Sequence, residues 1–225
     1  MHTYEVEIKS LLGEKKHADE LENKLSALFP NLLLKEDSKQ LNHYFLSPDL
    51  STIEEKIAPH LSKADLPRFQ NILKEGKKIS VRTRLLNDTV LLVLKASVDD
   101  TTSSNGISRI EFEVEVPDLT LNQLDQLLLD ASLEYQAKWS RERRAFSDGT
   151  FTVCIDKNAG YGYLAEFEKI ITDQSKVEET QAELRKIMSQ VNAEELRQDR
   201  LERMFAFYNE HWNEYYGTEK MFVIQ

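Results

Sequence analysis

Charged and apolar residues alternate strictly in several short stretches of this chain. The segment 4–9 reads YEVEIK, and the segment 109–116 reads RIEFEVEV. The same period returns with acids at 164–168 (LAEFE) and with arginines at 81–85 (VRTRL) and 139–143 (WSRER). Because successive side chains of a β-strand point to opposite faces, each acidic stretch predicts a strand with one charged and one apolar face, and each arginine stretch predicts a strand with its arginines on one face.

Acidic strands and arginine-bearing strands in one chain indicate a surface that carries both signs of charge at high density. Carboxylates are the ligands that hard cations such as magnesium and manganese prefer. Arginine binds phosphate oxygens through its planar fork of N–H donors. The combination therefore predicts a site for a metal ion together with a polyphosphate.

The same periodicity, with turn residues between the segments, predicts eight strands. Asn87-Asp88 and Asp148-Gly149 are turn signals that divide neighbouring strands. The predicted strands lie at about 3–12, 32–47, 78–86, 89–96, 107–116, 134–146, 150–156 and 161–171.

Helices are predicted in the intervals between these strands. Leucines at helical spacing predict a helix over 15–29, and Thr120 is predicted to be the N-cap of a helix over 121–131. Two short helices are expected in a helical insertion at about 48–77, and C-terminal helices at about 174–216, broken near Asn192.

Eight mostly adjacent strands favour an antiparallel sheet, which at this number can close into a barrel. The mixed charges are too many for a dry interior, so we expect them to line a water-filled lumen, with helices packed on the apolar exterior. The predicted fold class is α+β, an eight-stranded antiparallel closed β-barrel with a charged lumen.

Composition limits the classes of partner. The net charge of −10 argues against non-specific nucleic-acid binding because no strongly basic surface remains. No apolar run approaches the roughly 20 residues that span a bilayer, and no apolar signal-peptide segment is present. The single Cys154 cannot form an internal disulfide, which fits a reducing compartment. We expect one domain over 1–225, cytoplasmic, with neither a membrane nor a nucleic acid as partner.

The order of the charged motifs resembles that of the CYTH superfamily, the triphosphate tunnel metalloenzymes, which include thiamine triphosphatases, inorganic triphosphatases and class IV adenylyl cyclases. The N-terminal signature Glu-x-Glu-x-Lys is matched by Glu5, Glu7 and Lys9. The segment 156–168 resembles a late motif, an Asp followed by a glycine turn and a Glu-x-Glu strand. The other matches follow in the family's order: Arg82 and Arg84, Lys95, Arg109 with Glu111 and Glu113, Arg141 and Arg143, and Glu166 with Glu168.

The resemblance implies hydrolysis of a triphosphate inside the charged tunnel, with Mg²⁺ or Mn²⁺ as cofactor. The substrate class is inorganic triphosphate, thiamine triphosphate or a nucleoside triphosphate. The cations expected to bind triphosphate are Lys9, Arg82, Arg84, Lys95, Arg109, Arg141 and Arg143. The acids expected to bind metal are Glu5, Glu7, Glu111, Glu113, Asp156, Glu166 and Glu168. Lys9, Arg82 and Glu168 are expected to be catalytic.

Two other functions remain open at this point. A class IV adenylyl cyclase would use the same tunnel to make cyclic AMP and pyrophosphate from ATP, and a binding module would hold polyphosphate without turnover. A full set of acids argues against the binding module. The scarcity of aromatic and amide side chains at the predicted lumen positions favours a slim triphosphate over ATP. His43 is expected to be structural rather than catalytic, and the sequence does not decide between a monomer and a homodimer.

Overall fold

The structure is a computed structural model that describes residues 4–46, 49–97 and 109–224, without the side chains of residues 97, 109–111 and 174. Within these residues the chain forms eight β-strands and six α-helices. The strands are β1 (Tyr4–Gly13), β2 (Leu33–Leu46), β3 (Lys77–Leu86), β4 (Thr89–Ser97), β5 (Arg109–Glu115), β6 (Glu134–Ser147), β7 (Thr152–Asn158) and β8 (Gly162–Ile171). The helices are α1 (Lys15–Leu28), α2 (Ile53–Ile57), α3 (Leu66–Glu75), α4 (Leu121–Asp130), α5 (Val177–Gln190) and α6 (Gln198–Tyr215).

The strands form one antiparallel sheet in the order β1-β8-β7-β6-β2-β3-β4-β5. The predicted α+β class and the eight antiparallel strands are confirmed. In the part of the chain that the structure describes, this order begins at β1 and ends at β5. Closure of the sheet into a barrel therefore stays a prediction.

Local signals account for most element boundaries. Thr120 caps α4 as predicted, and a capping box joins it to Gln123, with the Gln123 N–H donating to the Thr120 hydroxyl oxygen at 3.3 Å. Asn87 and Gly149, in the predicted turns, have φ angles of 53° and 90°. Asn tolerates this left-handed region better than most residues, and Gly enters it without steric cost.

The chain divides into two compact units. The first unit comprises residues 1–39 and 140–225, and the second unit comprises residues 40–139. Strands β2 and β6 run through both units. The single domain expected from the sequence is untested by this division and stays a prediction.

In the first unit, the apolar face of the sheet packs against α1 and α5. Buried strand residues of this face meet leucines and a methionine of the two helices; the cluster includes Val6, Ile8, Val153, Ile155, Phe167, Leu21, Leu25, Leu184 and Met188. Burial of this apolar area stabilises the unit at about 25 cal/mol per Å². The helices therefore cover the apolar face, and the charges of the same strands lie on the opposite face.

In the second unit, α2, α3 and α4 pack against the apolar face of β3, β4 and β5. The fully buried members of this core include Ile53, Phe69, Ile72, Val81, Leu92, Leu94, Leu124 and Leu128. The predicted helical segment at about 48–77 thus supplies α2 and α3 to this core.

Candidate functional site

Strand register brings the predicted acids and cations of the first unit onto one face of the sheet. Residues directly opposite each other on paired strands have side chains on the same face. The opposed pairs across β1, β8, β7 and β6 are Glu7 with Glu168, Lys9 with Glu166, Glu166 with Cys154, Glu168 with Thr152, and Asp156 with Arg143.

Lys9 lies between two carboxylates on this face. Its Nζ is 2.8 Å from Glu7 Oε1 and 2.9 Å from Glu166 Oε1. Burial alone would lower the pKa of Lys9, but the charges of Glu166 and Glu7 outweigh it and raise the pKa. The Lys9 carbonyl accepts a hydrogen bond from the Leu196 N–H at 2.7 Å, which holds β1 in place beside the segment between α5 and α6.

Arg143 is held by two acids of the same face. Its Nε and Nη2 donate to Asp156 Oδ1 and Oδ2 at 2.8 and 2.7 Å, and Nη2 also contacts Glu166. Arg141 Nη1 lies 3.6 Å from Asp156 Oδ2. Burial opposes the charge of Arg143, but the bonds and charges of Asp156 raise its pKa, so Arg143 stays charged. Burial raises the pKa of Asp156 in spite of these two arginines. Asp156 therefore contacts arginines here, whereas the sequence assigned it to metal.

Glu5, Glu7 and Glu168 form an acidic cluster. One carboxylate oxygen from each lies within 4.8 Å of the others, the geometry in which three side chains can share a metal ion. Burial, a hydrogen bond to Glu5 and the negative charge of Glu5 raise the pKa of Glu168 to about 7. Without metal, Glu168 is therefore protonated below about pH 7. A divalent cation would relieve the repulsion among the three carboxylates, and their oxygen donors suit Mg²⁺ or Mn²⁺.

Glu166 and Cys154 adjoin this acidic cluster. Burial works against the ionised form of Glu166, but Lys9 and Arg143 lower its pKa and keep it charged. Cys154 forms a second group with Glu166 and Glu168 within 4.8 Å. Burial raises the pKa of the Cys154 thiol to about 12, so a neutral thiol lies among these acids, as expected for a cysteine that is not a nucleophile.

The second unit carries its own row of cations on β3. Arg84 Nη1 lies 3.0 Å from Glu113 Oε2, and Arg84 Nε donates to Asn42 Oδ1 at 2.8 Å. The Arg82 guanidinium carbon lies 4.5 Å from the centre of the Tyr44 ring, a cation–π distance. Arg84 is thus oriented by side chains of β2 and β5, and Arg82 by the Tyr44 ring of β2.

Asn42 and Tyr44 of β2 lie beside these two arginines, and sequence reasoning did not identify them as site residues. They lie opposite Arg84 and Arg82 in the β2–β3 register. The expectation that amide and aromatic side chains are scarce on this face is therefore wrong for β2, although both groups already contact an arginine. Beside them, Val93 and Leu91 lie opposite Arg82 and Arg84 on β4 and are buried, so this part of the face is not charged throughout.

The remaining predicted site residues of the second unit lie on β4 and β5. Lys95 lies opposite Ser80 on β3 and opposite Glu111 on β5. The side chains of Arg109 and Glu111 lie outside the part that the structure describes. Their assigned roles stay predictions.

The structure is a helix-backed antiparallel sheet with acids and cations alternating along its strands. The CYTH domain family matches residues 68–200, more than half of the 225-residue chain. The chain therefore belongs to the CYTH family, which includes triphosphatases and adenylyl cyclases and whose members generally depend on Mg²⁺ or Mn²⁺.

Solved structures share this fold at low sequence identity. A protein of Pyrococcus horikoshii is 20% identical with a TM-score of 0.55, and the match covers 91% of this chain and 99% of that one. A candidate adenylate cyclase of Vibrio parahaemolyticus is 15% identical with a TM-score of 0.55 over the same shares, 91% and 99%. A candidate adenylyl cyclase of Hippeastrum, described as having a dominant triphosphatase activity, is 15% identical with a TM-score of 0.51 over 92% and 96%. A comparison with curated proteins finds no match.

None of the helices in the described ranges is both long and apolar enough to cross a bilayer.

Proposed function

We propose that this protein is a divalent-metal-dependent hydrolase that cleaves the terminal phosphate from a triphosphate in a charged tunnel. The observation that carries the proposal is the acidic cluster of Glu5, Glu7 and Glu168 beside Lys9 and Arg143 on one face of the sheet. A binding module for polyphosphate has no need of three crowded carboxylates, whereas a hydrolase needs them to hold a metal ion. Membership of the CYTH family supports the same reaction class.

Seven acids were assigned to metal from the sequence, and we propose that six of them hold it: Glu5, Glu7, Glu111, Glu113, Glu166 and Glu168. Bound there, Mg²⁺ or Mn²⁺ would supply positive charge to neutralise phosphate oxygens and to acidify a water. Asp156 contacts Arg143 through two bonds, and this geometry supports a role in orienting that guanidinium.

The chain's own cations are proposed to hold the substrate and to stabilise its reaction. Lys9, Arg82, Arg84, Lys95, Arg109, Arg141 and Arg143 would donate to non-bridging oxygens. Lys9 and Arg82 would stabilise the charge that builds on the transferred phosphoryl group. Glu168 is assigned to orienting the attacking water. The water oxygen would form a bond to the terminal phosphorus while the bridging P–O bond breaks and the departing diphosphate keeps the bridging oxygen. Orthophosphate and the diphosphate are then released, together with one proton of the water.

Inorganic triphosphate is the substrate that we expect to be cleaved most efficiently. The alternative is a class IV adenylyl cyclase, which would attack the α-phosphorus of ATP with the ribose 3′ oxygen. Asn42 and Tyr44 on the arginine-bearing face are the observation that favours this alternative, because an amide and an aromatic ring can recognise a base. Their contacts with Arg84 and Arg82 instead support a role in orienting those cations.

A substrate panel tests the proposal. Inorganic triphosphate, thiamine triphosphate and ATP are each incubated with the protein and Mg²⁺ or Mn²⁺, and orthophosphate, pyrophosphate and cyclic AMP are quantified separately. We expect orthophosphate from inorganic triphosphate, loss of that activity in Lys9→Ala, and unchanged activity in Lys16→Ala, an exposed lysine of α1. Conversion of ATP to cyclic AMP and pyrophosphate would establish the cyclase instead, and full turnover in excess chelator would exclude the metal-dependent reaction.

A further inference from the structure

A buried polar cluster lies on the helix-covered side of the second unit. Its centre is Asp125 of α4, which is 2% exposed. The Asp125 carboxylate accepts hydrogen bonds from the Thr83 hydroxyl at 2.5 Å and from the Tyr135 hydroxyl at 2.7 Å, and it lies 2.6 Å from His43 Nδ1. One carboxylate thus holds side chains from β2, β3 and β6.

Strand alternation connects this cluster with the arginines of the opposite face. Thr83 separates Arg82 from Arg84 in β3, so its side chain points to the helix while theirs point away from it. On β2, His43 separates Asn42 from Tyr44 in the same manner and lies directly opposite Thr83. Asp125 therefore holds β2 and β3 from the helix-covered face of the sheet. Its partner Thr83 lies between the two arginines, and its partner His43 lies between the residues that orient them.

Burial of an acid at position 125 carries a desolvation cost. Its neighbours on α4, Leu124 and Leu128, are fully buried apolar residues, and another apolar side chain would satisfy the helix packing. Burial raises the pKa of an acid, yet the hydrogen bonds from His43, Thr83 and Tyr135 hold the pKa of Asp125 below its usual value. A buried ionised group with three partners specifies one arrangement of strands more sharply than apolar packing does.

We propose that Asp125 is a positioning residue for the phosphate-binding arginines Arg82 and Arg84. It holds Thr83 and His43 in place. The fixed register of β2 and β3 then orients both guanidinium groups toward the substrate. The role deepens the triphosphatase proposal and rests on it. A catalytic role for the His43–Asp125 pair does not fit, because both side chains are only 3% exposed and lie on the face opposite Arg82 and Arg84.

Two substitutions remove the positioning contact by different means. Asp125→Asn keeps the volume but presents an amide N–H₂ to side chains that donate to the acid. Thr83→Val keeps the shape and removes the hydroxyl donor. In both variants we expect the KM for inorganic triphosphate to rise on the order of tenfold and kcat to fall as well, because displaced arginines bind the substrate less tightly and Arg82 also stabilises the transferred phosphoryl group. The affinity for inorganic triphosphate, measured directly by calorimetry, should fall by the same factor.

Leu124→Ala is the matched control for loss of helix packing. It lies on α4 next to Asp125 and is fully buried, but it takes no part in the polar cluster. We expect it to lower the melting temperature as much as Asp125→Asn does and to leave KM unchanged. Thr83→Ser, which restores the hydroxyl, should return KM to the wild-type value.

The outcomes separate the two proposals. If the wild-type protein binds and hydrolyses inorganic triphosphate and Asp125→Asn or Thr83→Val matches its KM, the positioning role is wrong and the triphosphatase stands. Equal KM increases in Leu124→Ala and Asp125→Asn would reduce Asp125 to a packing residue. If the wild-type protein releases orthophosphate from none of inorganic triphosphate, thiamine triphosphate and ATP, the triphosphatase proposal fails, and the positioning role fails with it.

Discussion

Arg143 and Asp156 face each other across β6 and β7 and are joined by two parallel hydrogen bonds, Nε to Oδ1 at 2.8 Å and Nη2 to Oδ2 at 2.7 Å. The Asp156 side chain is 2% exposed and that of Arg143 is 13% exposed. Such a pair resists solvent and salt far more than a surface ion pair does. It fixes the plane of the guanidinium on the face that carries the candidate site.

Replacement of that fork by a single ammonium group should weaken both the fold and the site. Arg143→Lys keeps the charge but cannot bind both oxygens of Asp156, so we expect a loss of about 1–3 kcal/mol of unfolding free energy. The KM for inorganic triphosphate should rise as well. Denaturant unfolding and steady-state kinetics measure the two effects.

Arg144→Lys supplies the control for this substitution. Arg144 is the next residue of β6, is 44% exposed and contacts Glu22. A surface pair contributes little, so we expect less than about 1 kcal/mol and no change in KM. Equal losses in Arg143→Lys and Arg144→Lys would contradict a special role for the buried fork.

Metal dependence should follow the acidic cluster. Glu5→Gln removes one negative charge next to Glu7 and Glu168 with little change in volume, so turnover should fall at least about a hundredfold. The variant should also unfold at a higher temperature than the wild type in chelator, since it relieves like-charge repulsion. Glu142→Gln, an exposed acid of β6, is the control and should leave both values unchanged. If Glu5→Gln turns over at the wild-type rate, Glu5 is not a metal ligand.

The raised pKa of Glu168 predicts how the metal-free protein responds to pH. Its folded-state pKa of about 7 exceeds the ordinary glutamate pKa of 4.5, so between these pH values the folded protein binds a proton that the unfolded chain has released. Between these two values stability must fall as pH rises, because the folded state holds more protons. In chelator, the melting temperature of the wild type should therefore drop, relative to that of Glu168→Gln, from about pH 5 to about pH 8.

The same melting temperatures are also measured across the pH series with added Mn²⁺. Metal binding needs the ionised carboxylate, so the melting temperature of the wild type should rise most above about pH 7 and least near pH 5. Parallel curves for wild type and Glu168→Gln in chelator would show that Glu168 does not hold the proton.

Glycine at position 162 is expected to be irreplaceable for steric reasons. Gly162 has a φ of +69°, and a Cβ there would lie 2.2 Å from the Gly13 carbonyl oxygen of β1. Gly162→Ala should therefore cost at least about 3 kcal/mol, since backbone atoms would have to move.

Gly149→Ala separates backbone strain from steric overlap. Its φ is +90°, but no heavy atom lies within 4 Å of the added Cβ. We expect a loss of about 1–2 kcal/mol from the left-handed conformation alone. Chemical denaturation of both variants measures the difference, and equal losses would contradict the close approach of β8 to β1.

Elements with a regular charge pattern were predictable from the sequence. The strands that carry Glu5, Glu7 and Lys9 and those that carry Glu166 and Glu168 alternate with period two, so both their existence and their charged face follow from sequence alone. Thr120 and the turn at Asp148-Gly149 supplied boundaries in the same way, because their backbone geometry depends on neighbouring residues only.

For β2, the charged face could not be predicted from the sequence. Its sequence, LLKEDSKQLNHYFL, has no regular alternation, so the face of each residue depends on its register with β3. Asn42 and Tyr44 were missed for this reason. Asp125 was missed because its partners His43 and Thr83 lie 82 and 42 residues away in the chain, and no local pattern encodes such contacts.

The ion pairs of the first unit have a thermodynamic consequence. Lys9 and Arg143 already hold Glu166, and Arg143 also holds Asp156, so these cations have counter-charges before any ligand arrives. An anion that takes over the two cations leaves the carboxylates without partners, and a divalent cation is the natural replacement. Triphosphate and metal should then raise each other's affinity by the same factor, since linkage between two binding equilibria is reciprocal. Occupancy would therefore follow the product of the two ligand concentrations rather than either one alone.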